Sequence, residues 1–471
     1  MTTVSKTDET TSRRRLVLVI LLLILLAAFA LRAFHVDWAD GQLPHPDERS
    51  TVAFYAPSIH WPPEGVSPLD KRQSPLNPLW DINRQERRSY TYGHFPLYLL
   101  VLTANGVNKL APLAEELGVS ADLVETLRTA NGVPGFALVG RTIMAIADTF
   151  TVLLVFLLAD RIYGRRKGRW WVGLLAAAFS AFTVLQIQLS HFFAVDPIST
   201  TFTVLALYGA LRMSEDRSMG WSIVTGVGAG LAIGSKFSAL PILAAPVVAG
   251  LLMGWHGRRA STPTAGPSLA RIAGLVAVAL AVAAVVFAVT SPFSVLDWDN
   301  FKHAVLIEQG AMVRGEADFP FTRQYRGTLP YIYFIEQNLR WGIGWPLGIL
   351  AFGSLVWALA KLLFGKARDG EIILLSWIVP YFGLTGLFLA KFMRYMVPVV
   401  PLLMVLAAGL VAALCTASYG RAASNAPLRQ ANHRPIHLLT PQNNQHPSRL
   451  PVSRISKSPF RRVTNLSLIH I

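Results

Sequence analysis

The chain has 471 residues, of which 52% are hydrophobic and only 15% charged, with a mean hydropathy of +0.42. A soluble domain carries roughly 25% charged residues, so the composition excludes a soluble globular protein and points to an all-α polytopic membrane protein. The net charge of +16 would suit a nucleic-acid binder, but Arg421, Arg429, Arg434, Arg449, Arg454, Lys457, Arg461 and Arg462 supply half of it in the last segment. Most of the rest flanks apolar runs, where it sets topology. Membrane lipid is therefore an expected partner and nucleic acid is not. The single cysteine, Cys415, excludes an intrachain disulfide and a thiolate metal cluster.

Residues 1–15 are polar and, by the positive-inside rule, cytoplasmic. Arg13-Arg14-Arg15 precede the apolar run Leu16–Leu31 with no small-residue cleavage site, so this run is predicted to be an uncleaved first span. The span leads out into a first large loop, residues 35–94, rich in Pro and Trp. Phe95–Leu110 is apolar but interrupted by Asn105, Asn108 and Lys109, and is predicted to lie in the outer interface or to re-enter rather than to cross. Phe136–Ala159 is a strong span that ends in Arg161, Arg165, Arg166, Lys167 and Arg169, and one crossing from outside puts that cluster inside.

Alternating spans follow at Trp170–Leu189, His191–Leu211, Trp221–Ile233, Phe237–Met253 and Ile272–Ser291. A second outer loop, residues 292–340, precedes Trp341–Phe364, Ile372–Leu389 and Met396–Cys415. The prediction is ten spans, or eleven if Phe95–Leu110 crosses, in one membrane domain over residues 16–415. Residues 416–471 contain no Asp or Glu, show no periodicity, and are expected to form a disordered basic tail.

Ionisable residues in or beside spans are costly and are candidates for function. This topology gathers them on the outer side. The acidic pair Asp47-Glu48 follows the first span, in a loop stiffened by Pro44 and Pro46. Arg141 enters the second span, with Asp148 two turns deeper on the same face. His191 and Asp196 flank the start of a later span, Lys236 sits at an outer turn, and Lys391, Arg394 and Tyr395 precede the last one. Each has a structural alternative: an intramembrane Arg141–Asp148 pair, lysines and arginines snorkelling to headgroups, a helix-end histidine. The alternatives explain the gathering of cations outside less well than a lipid-linked phosphate does, since Lys and Arg bind phosphate oxygens by charge-assisted hydrogen bonds.

At several places the chain resembles the multispanning GT-C glycosyltransferases that use polyprenyl-phosphate sugars, specifically glycosyltransferase family 39. That family includes protein O-mannosyltransferases and lipid A glycosyltransferases. The resemblance runs over Leu16–Pro401 and rests on five elements. They are His45-Pro-Asp-Glu48; Gly93-His-Phe-Pro-Leu-Tyr98; Gly140-Arg-Thr-Ile-Met-Ala-Ile-Ala-Asp148 with Ala159-Asp-Arg-Ile-Tyr-Gly164; Ser190-His-Phe-Phe-Ala-Val-Asp196; and Lys391-Phe-Met-Arg-Tyr-Met-Val-Pro-Val-Val-Pro401.

The resemblance implies transfer, with inversion, of a sugar from a polyprenyl-phosphate donor to a hydroxyl of a protein, lipid or glycan acceptor at the outer face of the plasma membrane. Under it Asp47 is the general base, with Glu48 orienting it or binding sugar. Lys236, Arg394, Arg141 and Lys391 hold the donor phosphate, and His45, His94, His191, Asp196 and Tyr395 contact sugar or acceptor. Carboxylates such as Asp47, Glu48 and Asp196 suit a hard divalent cation, but the resemblance implies no metal requirement and no cofactor is expected. The rival reading is a transporter or flippase for a lipid-linked sugar. Gly226, Gly228, Gly230 and Gly234 in one short span favour it, whereas the absence of a repeat and the charges at one end favour the enzyme.

Overall fold

The computed structural model describes residues 6–39, 41–164, 169–259 and 267–424. Helix α1 (Lys6–Ala33) leads into a first large loop with helix α2 (Pro46–Ser50) and a two-stranded antiparallel ribbon, β1 (Trp80–Asp81) with β2 (Glu86–Arg87). Helices α3 (Phe95–Asn108), α4 (Ala111–Glu116) and α5 (Ala121–Arg128) follow. The bundle resumes with α6 (Val133–Ala159), α7 (Trp171–Ala181), α8 (Val184–Ser190), α9 (Val195–Asp216), α10 (Met219–Ser235), α11 (Ala244–Arg259) and α12 (Leu269–Thr290). A second large loop holds α13 (Phe293–Leu296), α14 (Trp298–Lys302), α15 (Gln309–Arg314) and α16 (Ile332–Gln337). Helices α17 (Trp345–Leu363), α18 (Asp369–Thr385) and α19 (Val400–Ser424) complete the described chain.

The expected all-α membrane architecture is what the chain adopts. Among the described residues seven helical segments, α3 with α4 counted as one of them, are long and apolar enough to cross a bilayer, and α7 with α8, bent by 56°, makes an eighth candidate. The remaining expected spans are also helices but fall short of a full apolar crossing. Helices α10 and α18 have 17 residues each, and α9 carries Ser199, Thr200, Thr201 and Thr203, all buried against protein. Helix α1 shows the opposite pattern. Leu18, Leu22, Leu23 and Leu26 are exposed, as a surface facing lipid requires, while Leu21 and Ala28, flanked by the partly buried Val17, Ile20, Ile24 and Leu25, pack against Val152, Phe156, Leu174 and Ala177.

By length and composition, α3 and α4 also pass as a span, yet the chain turns back. Gly93 N–H donates to Ser235 O at the end of α10 (3.1 Å), so α3 begins at the level where α10 ends. Its far end meets the start of α6, where Asn131 Nδ2 donates to Asn105 Oδ1 (3.2 Å) and Asn108 Nδ2 to Arg128 O (2.5 Å). Helix α6 then runs back past that level and on to Arg161, which pairs with Glu215 and Asp216. The α3 segment therefore lies wholly on the Asp47 side of the bundle.

The glycines of α10 serve close packing. A Cβ at Gly228 would lie 2.8 Å from the backbone nitrogen of Ala206 on α9, and one at Gly230 would lie 2.7 Å from Ala283 O on α12. Small residues let helix backbones approach where apolar lipid offers no hydrophobic drive. Because α10 is continuous from Met219 to Ser235, these glycines do not mark the broken helix that the rival transporter reading needs.

Helix α19 continues to Ser424, so residues 416–424 of the expected disordered tail are helical; the rest of that tail lies outside the described residues.

Gly228→Leu forces a side chain into rigid backbone, and overpacking costs about 1–3 kcal/mol. Thermal unfolding in detergent should show a marked fall in Tm for this variant. Gly106→Leu, where a Cβ meets nothing within 4 Å, should leave Tm nearly unchanged.

Candidate active site

Asp47 and Glu48 are successive residues at the start of α2, so their side chains point about 100° apart, and the two carboxylates meet different surroundings. Glu48 is fully buried. Arg141 Nε donates to its Oε1 (2.7 Å) and Nη2 to its Oε2 (2.9 Å), and Phe193 N–H adds a bond to Oε1 (2.9 Å). The other guanidinium donors of Arg141 reach Val36 O (3.1 Å), Trp38 O (2.9 Å) and Gln42 O (3.4 Å).

A guanidinium has five N–H groups, and these contacts use them all. The expectation that Arg141 holds donor phosphate is thereby corrected: a carboxylate and three carbonyls already occupy it. Glu48 likewise is not presented to a sugar, and its work is to fix the loop. The Arg141–Asp148 pair that stood as a structural alternative does not form either. Asp148 accepts from Arg32 Nε (2.6 Å) and Gln186 Nε2 (3.1 Å) instead.

Arg32 was not singled out in the sequence because it reads as the polar end of the first span. It is fully buried, and its Nη1 and Nη2 donate to Ala181 O (2.9 Å) and Ser180 O (3.3 Å). A helix end leaves carbonyls unsatisfied, so Arg32 caps the break between α7 and α8.

Asp47 is held differently. Arg394 Nη2 donates to Oδ1 at 3.4 Å and stands 3.2 Å from Oδ2, a long and loosely aligned pair beside the Glu48 lock. Oδ2 is buried and accepts no hydrogen bond. Nearby, Lys236 Nζ donates to Asp196 Oδ1 (2.7 Å) and lies 4.9 Å from the centre of the Tyr395 ring. Asp196 Oδ2, Tyr395 Oη and His45 Nδ1 are also buried without partners.

Unpaired polar atoms inside proteins are uncommon and costly. Among the described residues, four of the nine such atoms belong to Asp47, Asp196, Tyr395 and His45, and Asp47, Arg394, Asp196 and Tyr395 all act electrostatically on Tyr92. Burial holds the His45 imidazole below its ordinary range, with Asp47 pulling it up and Arg394 pushing it down. Burial first, then Asp47, raises the Tyr92 phenol well above its usual value. The sequence analysis quoted Tyr92 only as part of a motif, and its place immediately before Gly93 and His94 is the signal that was there.

Arg394 and Tyr395 come from an unwound stretch between α18 and α19. The second large loop satisfies its backbone: Leu389 N–H donates to Val313 O (2.7 Å), and Tyr331 N–H to Gly386 O (3.0 Å). Lys391 lies on this stretch, 3% exposed, with Nζ donating only to Leu389 O (3.3 Å). Among the described residues no carboxylate pairs with it, and burial lowers its ammonium from the ordinary value.

The two other histidines stand apart from this cluster. His94 sits among Tyr90, Tyr98 and Phe293, where burial pushes its imidazole down to about 3. Its backbone N–H donates to Ser291 Oγ (3.0 Å), which makes it a hinge between the loops. His191 uses Nδ1 on Ile187 O (2.8 Å) and Nε2 on Phe34 O (3.0 Å), so both ring nitrogens are engaged with backbone and neither reaches a ligand. Among the described residues no three His, Cys, Asp or Glu side chains stand close enough to share a metal ion.

Residues 134–288 match the family described as dolichyl-phosphate-mannose-protein mannosyltransferase. Comparison with curated proteins gives no match. Among solved structures, the apo oligosaccharyltransferase of Archaeoglobus fulgidus is similar at 16% identity and a TM-score of 0.48, over 87% of this chain and 52% of that one. ArnT from Cupriavidus metallidurans bound to undecaprenyl phosphate is similar at 17% identity and a TM-score of 0.46, over 87% of this chain and 62% of that one. The chain thus spans 52% to 62% of the length of these structures.

If Glu48 and Arg141 form a structural lock, Arg141→Met strands a buried carboxylate at a cost of roughly 3–5 kcal/mol. Thermal unfolding should then show Arg141→Met and Glu48→Ala each far less stable than the wild type. A stable Arg141→Met protein that had merely lost donor binding would return Arg141 to the phosphate site. The family read from the motifs and the family matched over residues 134–288 agree: in that stretch the chain is similar to the dolichyl-phosphate-mannose-protein mannosyltransferases.

Proposed function

We propose that the chain is a membrane glycosyltransferase that moves a sugar from a polyprenyl-phosphate donor to an acceptor hydroxyl, with inversion, and that Asp47 is the general base. The observation that carries this reading is the contrast between adjacent acids. Glu48 is consumed by Arg141 and the Phe193 N–H, while Asp47 has only the long ion pair with Arg394 and its Oδ2 accepts no hydrogen bond. An acid held ready at the mouth of a helix bundle suits a proton acceptor.

In the reaction, the acceptor oxygen attacks the anomeric carbon and its proton passes to the Asp47 carboxylate. The bond from that carbon to the phosphate oxygen breaks, and the electron pair leaves on the polyprenyl phosphate. The phosphate gains negative charge in this step, so fixed cations stabilise the transition state. Lys391 is the candidate with an uncommitted ammonium. Arg394 and Lys236, each already beside a carboxylate, complete the positive wall. Asp196 holds Lys236 in place, and Tyr92, Tyr395 and His45 are available to sugar hydroxyls.

A lipid-phosphate donor fits what similar structures hold: ArnT from Cupriavidus metallidurans is bound to undecaprenyl phosphate. The Archaeoglobus fulgidus enzyme AglB is in complex with an inhibitory peptide and a dolichol-phosphate. The site faces outward in this reading because the basic flanks, Arg161 and Arg212 among them, lie at the opposite end of the bundle. Cysteines introduced into a Cys415→Ser background check this: one at Arg84 should react with an impermeant thiol reagent from outside, and one at Arg258 should not.

Asp47→Asn keeps size and removes the proton acceptor. Turnover measured as release of polyprenyl phosphate should fall by the ~10²–10⁴ that general base catalysis supplies, with donor affinity nearly intact. Lys391→Met should weaken donor binding as well, by the roughly 1.5–3 kcal/mol of a charge-assisted contact. Full turnover in Asp47→Asn would remove it as the base. Loss of donor binding in that variant alone would favour the transporter reading.

A further inference from the structure

We propose that a cavity at the end of the bundle opposite Asp47 binds a phosphate-bearing group, such as an anionic lipid headgroup. The cavity has a volume of about 230 Å³ and is lined by Arg169, Lys361, Lys366 and Arg368, with Tyr163 and Trp357. Its position follows from α6: Arg141 lies beside Glu48, and Tyr163 comes 22 residues later, roughly 33 Å away at 1.5 Å per residue.

The walls are built rather than incidental. Glu371 is fully buried and takes Lys361 Nζ, Tyr163 Oη (2.9 Å) and the Arg368 N–H (2.8 Å). That carboxylate is satisfied and neutralises one cation of the four. Among the described residues no carboxylate lies within ion-pairing reach of Arg169, Lys366 or Arg368. Arg368 instead donates to Ile162 O (2.8 Å) and stacks 4.9 Å from the Tyr163 ring, and Arg169 reaches only Ala412 O (3.5 Å). Gly409 leaves room for the Tyr163 ring, since a Cβ there would lie 2.3 Å from it.

The positive-inside tendency accounts for basic residues at this end. It does not account for their convergence on one concave site, where like charges repel one another and an anion relieves them. Arg and Lys bind phosphate oxygens by charge-assisted hydrogen bonds, and basic pockets between membrane helices suit lipid headgroups. The exposed Leu363 and Phe364 beside Trp357 offer apolar surface for acyl chains.

The test uses the full chain in neutral detergent, with phosphatidic acid as the lipid probe, and counts bound lipid by native mass spectrometry. Wild type should retain one more phosphatidic acid than the double variant Lys366→Gln, Arg169→Gln, whose affinity for that lipid should drop at least ten-fold. Neither substitution touches the Glu371 lock, and Arg84→Gln, with an exposed side chain at the other end, should bind as the wild type does. Inorganic phosphate that displaces the lipid would mean the site reads the phosphate alone, and failure to displace it would mean the acyl chains contribute. Equal counts in wild type and double variant, or an equal loss in Arg84→Gln, would overturn the proposal.

Discussion

The interaction on which the site depends is the buried pair between Glu48 and Arg141. A buried ion pair contributes little net stability, because desolvation offsets attraction, but breaking one is expensive. Its value here is geometric. One guanidinium gathers the carbonyls of Val36, Trp38 and Gln42, so a loop without regular structure is nailed to α6 at several points. Through Phe193 N–H the same carboxylate holds the turn that leads into α9. Asp196 and Asp47 are therefore positioned by one lock although they lie 149 positions apart in sequence, and both bear on Tyr92 and Arg394.

A second buried pair, Arg32 with Asp148, works two turns deeper on α6. It ties the end of the first span to the bend between α7 and α8, where the guanidinium meets carbonyls that a broken helix leaves open. The two pairs make α6 a mast, with each outward segment fastened at its own height. The unwound stretch that carries Lys391 and Arg394 solves the same problem differently. Irregular backbone at membrane depth is tolerated only where protein satisfies it, and the second large loop supplies those bonds through Val313 and Tyr331.

The two ends of the bundle differ in how their cations are used. At the Asp47 end, Arg394 and Lys236 each stand beside an acid, and Lys391 has none. At the other end, Arg161 is shared between Glu215 and Asp216, and Arg212 also meets Asp216. Between them small residues allow close packing, and α10 passes between α9 and α12 on its glycines.

Much of the fold was legible in the sequence because lipid imposes a simple rule: an apolar run near the length of a bilayer becomes a helix. The runs at Leu16–Leu31, Phe136–Ala159 and Ile272–Ser291 all appear as helices, and the interruption of Phe95–Leu110 by Asn105 and Asn108 foretold a segment that turns back. The candidate residues Asp47, Asp196, Lys236, Arg394 and Tyr395 were also visible, as ionisable or polar groups where membrane proteins rarely afford them. Their partners were not. Arg141 and Asp148 share a helix face, which suggested that they pair, but spacing on one helix says nothing about a guanidinium arriving from α1 or a carboxylate from α2. Which of two adjacent acids is spent on structure depends on what packs against each face of a short helix. Only the tertiary structure decided that, by bringing Arg141 to Glu48 and leaving Asp47 with the long Arg394 pair alone.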